Sequence, residues 1–112
     1  MVDEKNKSLI LDSINKYLTE LQKNDINIVG AYLFGSYSKN NADKWSDIDL
    51  AILTDKFIGD SFDFTLLLMK IARNIDFNIE PHPYIADEFN KNNPFAAEII
   101  KTGIRVLIDN FI

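Results

Sequence analysis

Apolar side chains recur at helical spacing near the start of the chain, with charged and amide residues between them. This pattern predicts an amphipathic helix over Ser8–Asn24. The next segment, Ile26–Phe34, is rich in strand-forming residues and contains few polar ones, which is typical of a strand covered on both faces. Gly35 and Ser36 end this strand, and the polar segment Tyr37–Ser46 is predicted to be a loop, or a short helix followed by a loop.

The rest of the chain alternates between strand-like and helix-like patterns. The predicted elements are a strand at Asp47–Leu53, a helix at Phe62–Ile75, a strand at Asp76–Pro81 closed by prolines, a short helix at Ala86–Asn92, a helix at Phe95–Thr102 between Pro94 and Gly103, and a strand at Ile104–Ile108. This order predicts an α/β or α+β fold in which one small mixed β-sheet has helices packed mainly on one side. We expect the strands at Ile26–Phe34, Asp47–Leu53 and Asp76–Glu80 to be neighbours in a single domain over residues 1–112.

Composition narrows the chemistry that the chain can perform. With no cysteine and one histidine, the sequence excludes disulfides, thiolate metal sites and cysteine nucleophiles, so oxygen ligands remain for any metal. A net charge of −5 makes direct nucleic-acid binding unfavourable. The longest apolar run, Leu66–Met69, is far shorter than the roughly 20 residues of a membrane span. We therefore expect a cytoplasmic protein that does not bind membranes.

One constellation of residues carries a specific chemical signal. Gly35 and Ser36 follow an apolar strand, and after ten more residues Asp47 and Asp49 open the next strand. Side chains alternate along a strand, so the two aspartates project from one face roughly 7 Å apart while Ile48 enters the core. Two such carboxylates repel each other unless a cation lies between them, and hard oxygen ligands favour Mg²⁺.

The glycine and serine complement the aspartate pair. Because Gly35 has no side chain, a phosphate can approach its backbone, and Ser36 offers a hydroxyl and amide hydrogens to an anion. A Gly-Ser pair alone is usually a turn, and an aspartate next to a serine is often a helix cap. A cap does not explain a second aspartate in phase with the first and leading into a buried strand. The combination therefore predicts a phosphate cradle facing a metal site.

These residues, Gly35-Ser36 followed by Asp47-Ile48-Asp49, resemble the signature of the minimal nucleotidyltransferases of the DNA polymerase β superfamily, and the order of elements resembles that family from about Ser8 to the C-terminus. The resemblance implies a nucleotidyltransferase fold and Mg²⁺-dependent transfer of a nucleoside monophosphate from an NTP such as ATP to a hydroxyl. It also implies that Gly35 and Ser36 hold the triphosphate, and that Asp47 and Asp49 ligate two Mg²⁺ ions.

The family uses a third carboxylate on a neighbouring strand, and this sequence offers two candidates. Asp76 begins the predicted third strand and resembles the polymerase form, whereas Glu80 ends it on the same face and resembles some minimal members. Either residue could instead be a solvated charge on a strand edge. Asp76 and Glu80 both remain candidates for the catalytic and metal-binding set.

Three further residues have two interpretations each. Many family members carry an arginine soon after the Gly-Ser pair, whereas here only Lys39 could add positive charge to the triphosphate site, unless it is a solvated loop lysine. Trp45 could stack on a base, although a contact that anchors the loop is preferred. His82 lies on the face of Glu80 if the third strand extends that far, although a surface histidine between prolines is preferred.

The resemblance also bears on the partner. Minimal nucleotidyltransferases often act as the antitoxin of a HEPN-type ribonuclease toxin, by AMP transfer to the toxin, by steric blocking, or by both. A small-molecule acceptor is the other possibility. Because no residues are left over to build an acceptor pocket, we expect a shallow, open site whose acceptor hydroxyl belongs to the partner protein. Retention of Ser36, Asp47 and Asp49 favours transfer over blocking.

Overall fold

The computed structural model describes residues 4–37 and 47–106. In chain order these contain helix α1 (Glu4–Lys23), strands β1 (Ile28–Phe34) and β2 (Ile48–Thr54), helix α2 (Ser61–Arg73), strand β3 (Ile79–Ile85), a 3₁₀ turn (Ala86–Glu88), helix α3 (Pro94–Thr102) and the short strand β4 (Ile104–Arg105). No helix in this part of the chain is both long and apolar enough to cross a bilayer.

The strands form a mixed sheet in the order β3-β2-β1-β4. The central strand β2 runs antiparallel to β1 and parallel to β3, while β4 pairs antiparallel with the outer side of β1. A parallel pair needs a crossover connection, and α2 provides it between β2 and β3. The predicted mixed sheet, with these three strands as neighbours, is confirmed, and the structure places β2 between β1 and β3.

The sheet has two differently covered faces. Alternate residues of β2, Ile48, Leu50 and Ile52, are almost completely buried in the main core, which α1 and α2 complete with Leu18 and Leu68. The two long helices thus share one face, as predicted. On the opposite face a smaller cluster joins the central strand to the 3₁₀ turn and α3; its buried members are Ala51, Phe89, Ala96 and Ile99. This second face carries the candidate site.

A buried hydrogen bond ties the two long helices together. The hydroxyl of Tyr17, which is fully buried, donates to the backbone carbonyl of Leu68 over 2.8 Å, and burial raises the pKa of Tyr17 well above its usual value. Tyr17→Phe should lower the free energy of unfolding by about 1 kcal/mol, because the ring stays packed while one hydrogen bond is lost.

Urea denaturation of the Tyr17→Phe variant tests this expectation, and Tyr84→Phe is its control. The hydroxyl of Tyr84 makes no hydrogen bond within the described residues and should be removable at little cost. Equal effects of the two substitutions would contradict a specific role for the Tyr17 hydroxyl.

The third strand differs from its prediction. Instead of ending at the prolines, β3 begins at Ile79 and runs through Pro81 and Pro83 to Ile85. β3 is an edge strand with β2 on one side only. Backbone nitrogens two residues apart point to the same side of a strand, so those of Pro81 and Pro83 can both point away from β2. The missing N–H groups then cost no hydrogen bond of the sheet. Asp76 therefore does not begin the strand. It lies in the preceding turn, where its Oδ1 accepts a hydrogen bond from the backbone N–H of Asn78 over 2.9 Å.

Two shorter elements also differ from their predicted bounds. The helix predicted at Ala86–Asn92 is a single 3₁₀ turn, Ala86–Glu88. The last strand begins at Ile104 as predicted, and its described part ends at Arg105; residues 107 and 108 of the prediction lie outside the described residues. The helix between Pro94 and Gly103 is confirmed, with the Asn93 side chain accepting hydrogen bonds from the first turn.

Candidate functional site

The two aspartates stand at the entrance of the central strand. Asp47 is exposed immediately before β2, and Asp49 is the second residue of that strand, on the face opposite the main core. Between and after them, Ile48 and Leu50 are 2% and 0% exposed, which confirms that the intervening residues enter the core. Alternation along the strand is therefore what presents both carboxylates on the second face of the sheet.

Glu80 joins the aspartates, whereas Asp76 does not. In the register of the parallel pair Glu80 lies directly opposite Asp49, and a side-chain hydrogen bond links it to Asp47. Partial loss of water, this hydrogen bond and the negative charges of Asp47 and Asp49 raise the pKa of Glu80, while His82 acts in the other direction. Pairing of the strands thus assembles Asp47, Asp49 and Glu80, and leaves Asp76 in its turn.

His82 contacts this group directly. Its Nε2 lies 3.2 Å from Oδ1 of Asp49, and its ring meets Phe34 edge-on with the centroids 5.0 Å apart. The small residue Ala51 lies opposite His82 in the strand pair and leaves room for the imidazole. The preferred interpretation as a plain surface histidine is therefore incomplete: its side chain is 38% exposed, yet it holds the orientation of Asp49.

Gly35 follows β1 and packs against Asp49. Its φ is +72°, a left-handed conformation that favours glycine, and a Cβ at this position would collide with Oδ2 of Asp49. Phe34, the preceding residue, pairs with Asp49 in the antiparallel register. Ser36 lies in the same turn and is half-buried. The missing side chain at Gly35 thus brings the backbone of this turn against the carboxylates.

Two residues considered from the sequence, Lys39 and Trp45, lie outside the described residues.

The donor set fits Mg²⁺, although the carboxylates are paired with other groups here. As they stand, no three Asp, Glu or His side chains of residues 4–37 and 47–106 are placed to hold one ion together. Asp47 is hydrogen-bonded with Glu80, and Asp49 with His82. Asp47, Asp49 and Glu80, which together we call the corner, offer the hard oxygen ligands that Mg²⁺ prefers. The negative charges of Asp47 and Asp49 are among the causes that raise the pKa of Glu80. A divalent cation would relieve the repulsion among these carboxylates.

A cavity of about 350 Å³ opens beside the carboxylates. Helix α2 contributes Met69 and Arg73 to its lining. The other described lining residues come from the start of β2 and from the segment that enters β3; they are Asp47, Phe77, Asn78, Ile79 and Glu80. Whether the acceptor site is shallow and open, as the sequence predicts, stays a prediction. The cavity depends on where the loop after α2 places Phe77, and no periodic pattern in the sequence reports that.

The raised pKa of Glu80 makes the stability of the protein depend on pH. A folded state that binds the Glu80 proton more tightly than the unfolded chain gains stability at low pH, and loses it as the pH rises above the usual value of 4.5. Glu80→Gln should therefore raise the melting temperature at neutral pH with a chelator present. Thermal melts from acidic to neutral pH should show the advantage of the variant shrinking toward acid, and a constant offset would contradict the assignment.

Comparison with known protein families identifies the family of the chain, which the geometry alone does not. The sequence matches the family described as Polymerase beta, Nucleotidyltransferase over residues 15–111, which is most of the chain. The chain belongs to this nucleotidyltransferase family. The matched region contains the turn with Gly35 and Ser36, both aspartates and Glu80. Comparison with curated protein sequences finds no significant match.

Solved structures of nucleotidyltransferases and related proteins share the fold. A candidate nucleotidyltransferase from Sulfolobus solfataricus superposes with a TM-score of 0.63 at 16% identity, covering 88% of this chain and 80% of the other. A toxin–antitoxin structure with AMP-PNP gives 0.63 at 23% identity, covering 89% and 74%. A mutant of the toxin–antitoxin pair MntA-HpeT gives 0.59 at 24% identity, covering 86% and 72%. At these identities the similarity shows the nucleotidyltransferase fold.

Proposed function

We propose that this nucleotidyltransferase is an antitoxin that uses Mg²⁺ to transfer AMP from ATP to a hydroxyl on a partner toxin of HEPN type. The observation that carries the proposal is the corner formed by Asp47, Asp49 and Glu80 against the backbone of Gly35. The family of the chain supplies the class of reaction. The toxin–antitoxin assignment draws on the two solved relatives of that kind, one of which is a complex with AMP-PNP.

Each residue of the corner has a distinct part in the proposed reaction. Gly35 and Ser36 accept the triphosphate, because no side chain at Gly35 blocks the approach of a phosphate to the backbone. Lys39, three residues after Ser36 in the sequence, would add positive charge to the triphosphate. Asp47, Asp49 and Glu80 would hold Mg²⁺, and His82 positions Asp49.

The bond changes need no nucleophile from the protein. The acceptor hydroxyl oxygen attacks the α-phosphorus, the bond from that phosphorus to the bridging oxygen of the β-phosphate breaks, and pyrophosphate leaves as the hydroxyl proton is released. Mg²⁺ held by Asp47, Asp49 and Glu80 would supply the charge that lowers the pKa of the attacking hydroxyl and neutralises the departing pyrophosphate. The contribution of the chain is to fix the reactants in line and to exclude other geometries.

Electrostatics favour a basic partner. The net charge of −5 suits association with a ribonuclease whose RNA-binding groove is positive. Such an association should weaken with added salt, because exposed charges are screened over about 8 Å at physiological ionic strength.

Intact-mass measurement tests the proposed reaction. Incubation with ATP, Mg²⁺ and the product of the neighbouring gene should add about 329 Da, the mass of one transferred AMP, to that partner and release pyrophosphate. Labelling of a small molecule or an RNA 3′ hydroxyl instead would overturn the antitoxin assignment and leave the nucleotidyltransferase in place. Inhibition of the partner with nothing labelled would show an antitoxin that acts by steric blocking.

A further inference from the structure

The cavity beside Asp47 and Glu80 is lined by neither Gly35 nor Ser36, the residues proposed to hold the triphosphate. Its walls come from the last turn of α2, with Met69 and Arg73, and from the loop that leads into β3, with Phe77. Asp47 and Glu80 belong to the same lining. The cavity therefore connects the proposed metal ligands to the surface formed by α2 and this loop.

Strand order determines which reactant this cavity can serve. Asp49 on β2 lies between Phe34 of β1 on one side and Glu80 of β3 on the other. Gly35 follows Phe34, so a triphosphate held by that turn lies on the β1 side, and its departing pyrophosphate leaves toward that side. In an in-line displacement the attacking oxygen enters opposite the leaving group. The acceptor hydroxyl must therefore arrive from the β3 side, where the cavity opens.

We propose that the cavity lined by Met69, Arg73 and Phe77 is the docking site for the acceptor-bearing segment of the partner protein. This inference rests on the proposed function and adds to it the surface that selects the acceptor. The segment lays its side chains against Phe77 and Arg73 and thereby presents its hydroxyl at Glu80. Arg73 and Phe77 are positioning residues in this scheme, since neither touches the reacting phosphorus.

The chemistry of the lining favours a polypeptide over RNA. Phe77 is 84% exposed, and it lines the cavity together with the thioether of Met69 and the guanidinium of Arg73. Aromatic residues, methionine and arginine are the types enriched where proteins bind proteins. Among the described residues the lining contains two carboxylates, Asp47 and Glu80, and one cation, Arg73, a balance that disfavours a polyanion such as RNA.

Two substitutions and two matched controls test the docking site. Phe77→Ala removes the exposed ring, and its control is Phe95→Ala, which removes a ring 75% exposed at the start of α3. Arg73→Gln removes the guanidinium, and its control is Lys70→Gln, which removes a cation from the same last turn of α2 but from outside this cavity. All four positions are exposed, and equal melting temperatures would verify that the folds are intact.

Binding is measured separately from transfer. Calorimetric titration of the purified neighbouring gene product, without ATP or Mg²⁺, should show Kd raised about tenfold or more by Phe77→Ala and by Arg73→Gln, and nearly unchanged by either control. In the transfer assay the same two variants should raise KM for the partner while kcat falls much less. Affinity for Mn²⁺-ATP should be the same in all five proteins.

The outcomes separate this inference from the proposed function. If the wild type transfers AMP and the cavity variants bind and react like their controls, the docking site is wrong and the function stands. If the wild type binds without transferring and the cavity variants lose binding, the docking site stands and the reaction is wrong. If the wild type does not bind the neighbouring protein, or if an RNA oligonucleotide competes for the cavity, the docking proposal is overturned.

Discussion

Asp49→Asn should reduce AMP transfer by about a thousandfold or more while the protein remains folded, because it removes a full charge from the proposed metal site at nearly constant shape. An asparagine oxygen can still accept the hydrogen bond that His82 makes to Asp49 over 3.2 Å. Loss of activity would then reflect loss of charge and not a displaced side chain. Initial rates of pyrophosphate release, with and without the partner, measure the effect.

The structure supplies a matched pair for this experiment. Glu80→Gln should lose activity as severely as Asp49→Asn, since Glu80 faces Asp49 across the strand pair and bonds Asp47. Asp76→Asn should keep nearly full activity, since Asp76 serves only the turn before β3. Unchanged transfer in Asp49→Asn would refute the site, and a severe loss in Asp76→Asn together with an active Glu80→Gln would exchange the two candidates.

Much of the fold could be predicted because its signals are local. The apolar runs of β1 and β2 and the helical spacing of α2 depend only on neighbouring residues, and all three elements lie within a few residues of their predicted positions. The predicted bounds of the third strand are wrong, because the prediction ends the strand at the prolines. Whether Pro81 and Pro83 are tolerated depends on β3 being an edge strand, and that is a property of the whole sheet.

The candidate site likewise contains some residues that local patterns predict and others that depend on long-range strand pairing. Spacing alone identified Gly35, Ser36, Asp47 and Asp49 as candidates, because strand alternation fixes the face of each aspartate. Choosing Glu80 over Asp76 required the register of β2 against β3, a long-range pairing that no local pattern contains. The contact of His82 follows from the same register, since His82 lies two residues beyond Glu80 on the same face. The sequence places His82 on this face on the condition that the third strand extends that far, and β3 does extend to Ile85.

Gly35→Ala should abolish most AMP transfer by displacing Asp49, and the chain contains a control for its backbone strain. Gly35 and Gly59 both have positive φ, +72° and +77°, so an alanine at either position should cost about 1–2 kcal/mol of stability. Only at Gly35 would the new Cβ collide with a carboxylate oxygen of Asp49. At Gly59 its nearest neighbour would be Cβ of Asp63 at 3.5 Å, an ordinary contact.

Comparing the two alanine variants therefore isolates the collision. Urea denaturation should show similar losses of stability, whereas transfer should fall about a hundredfold or more in Gly35→Ala and stay near the wild-type rate in Gly59→Ala, because a displacement of about 1 Å in a reacting group is that costly. Binding of Mn²⁺ in the absence of ATP should weaken only in Gly35→Ala, since that readout depends on Asp49 and not on the triphosphate. Similar activities in the two variants would mean that the turn after β1 does not control the position of Asp49, and the corner would then need another explanation for its glycine.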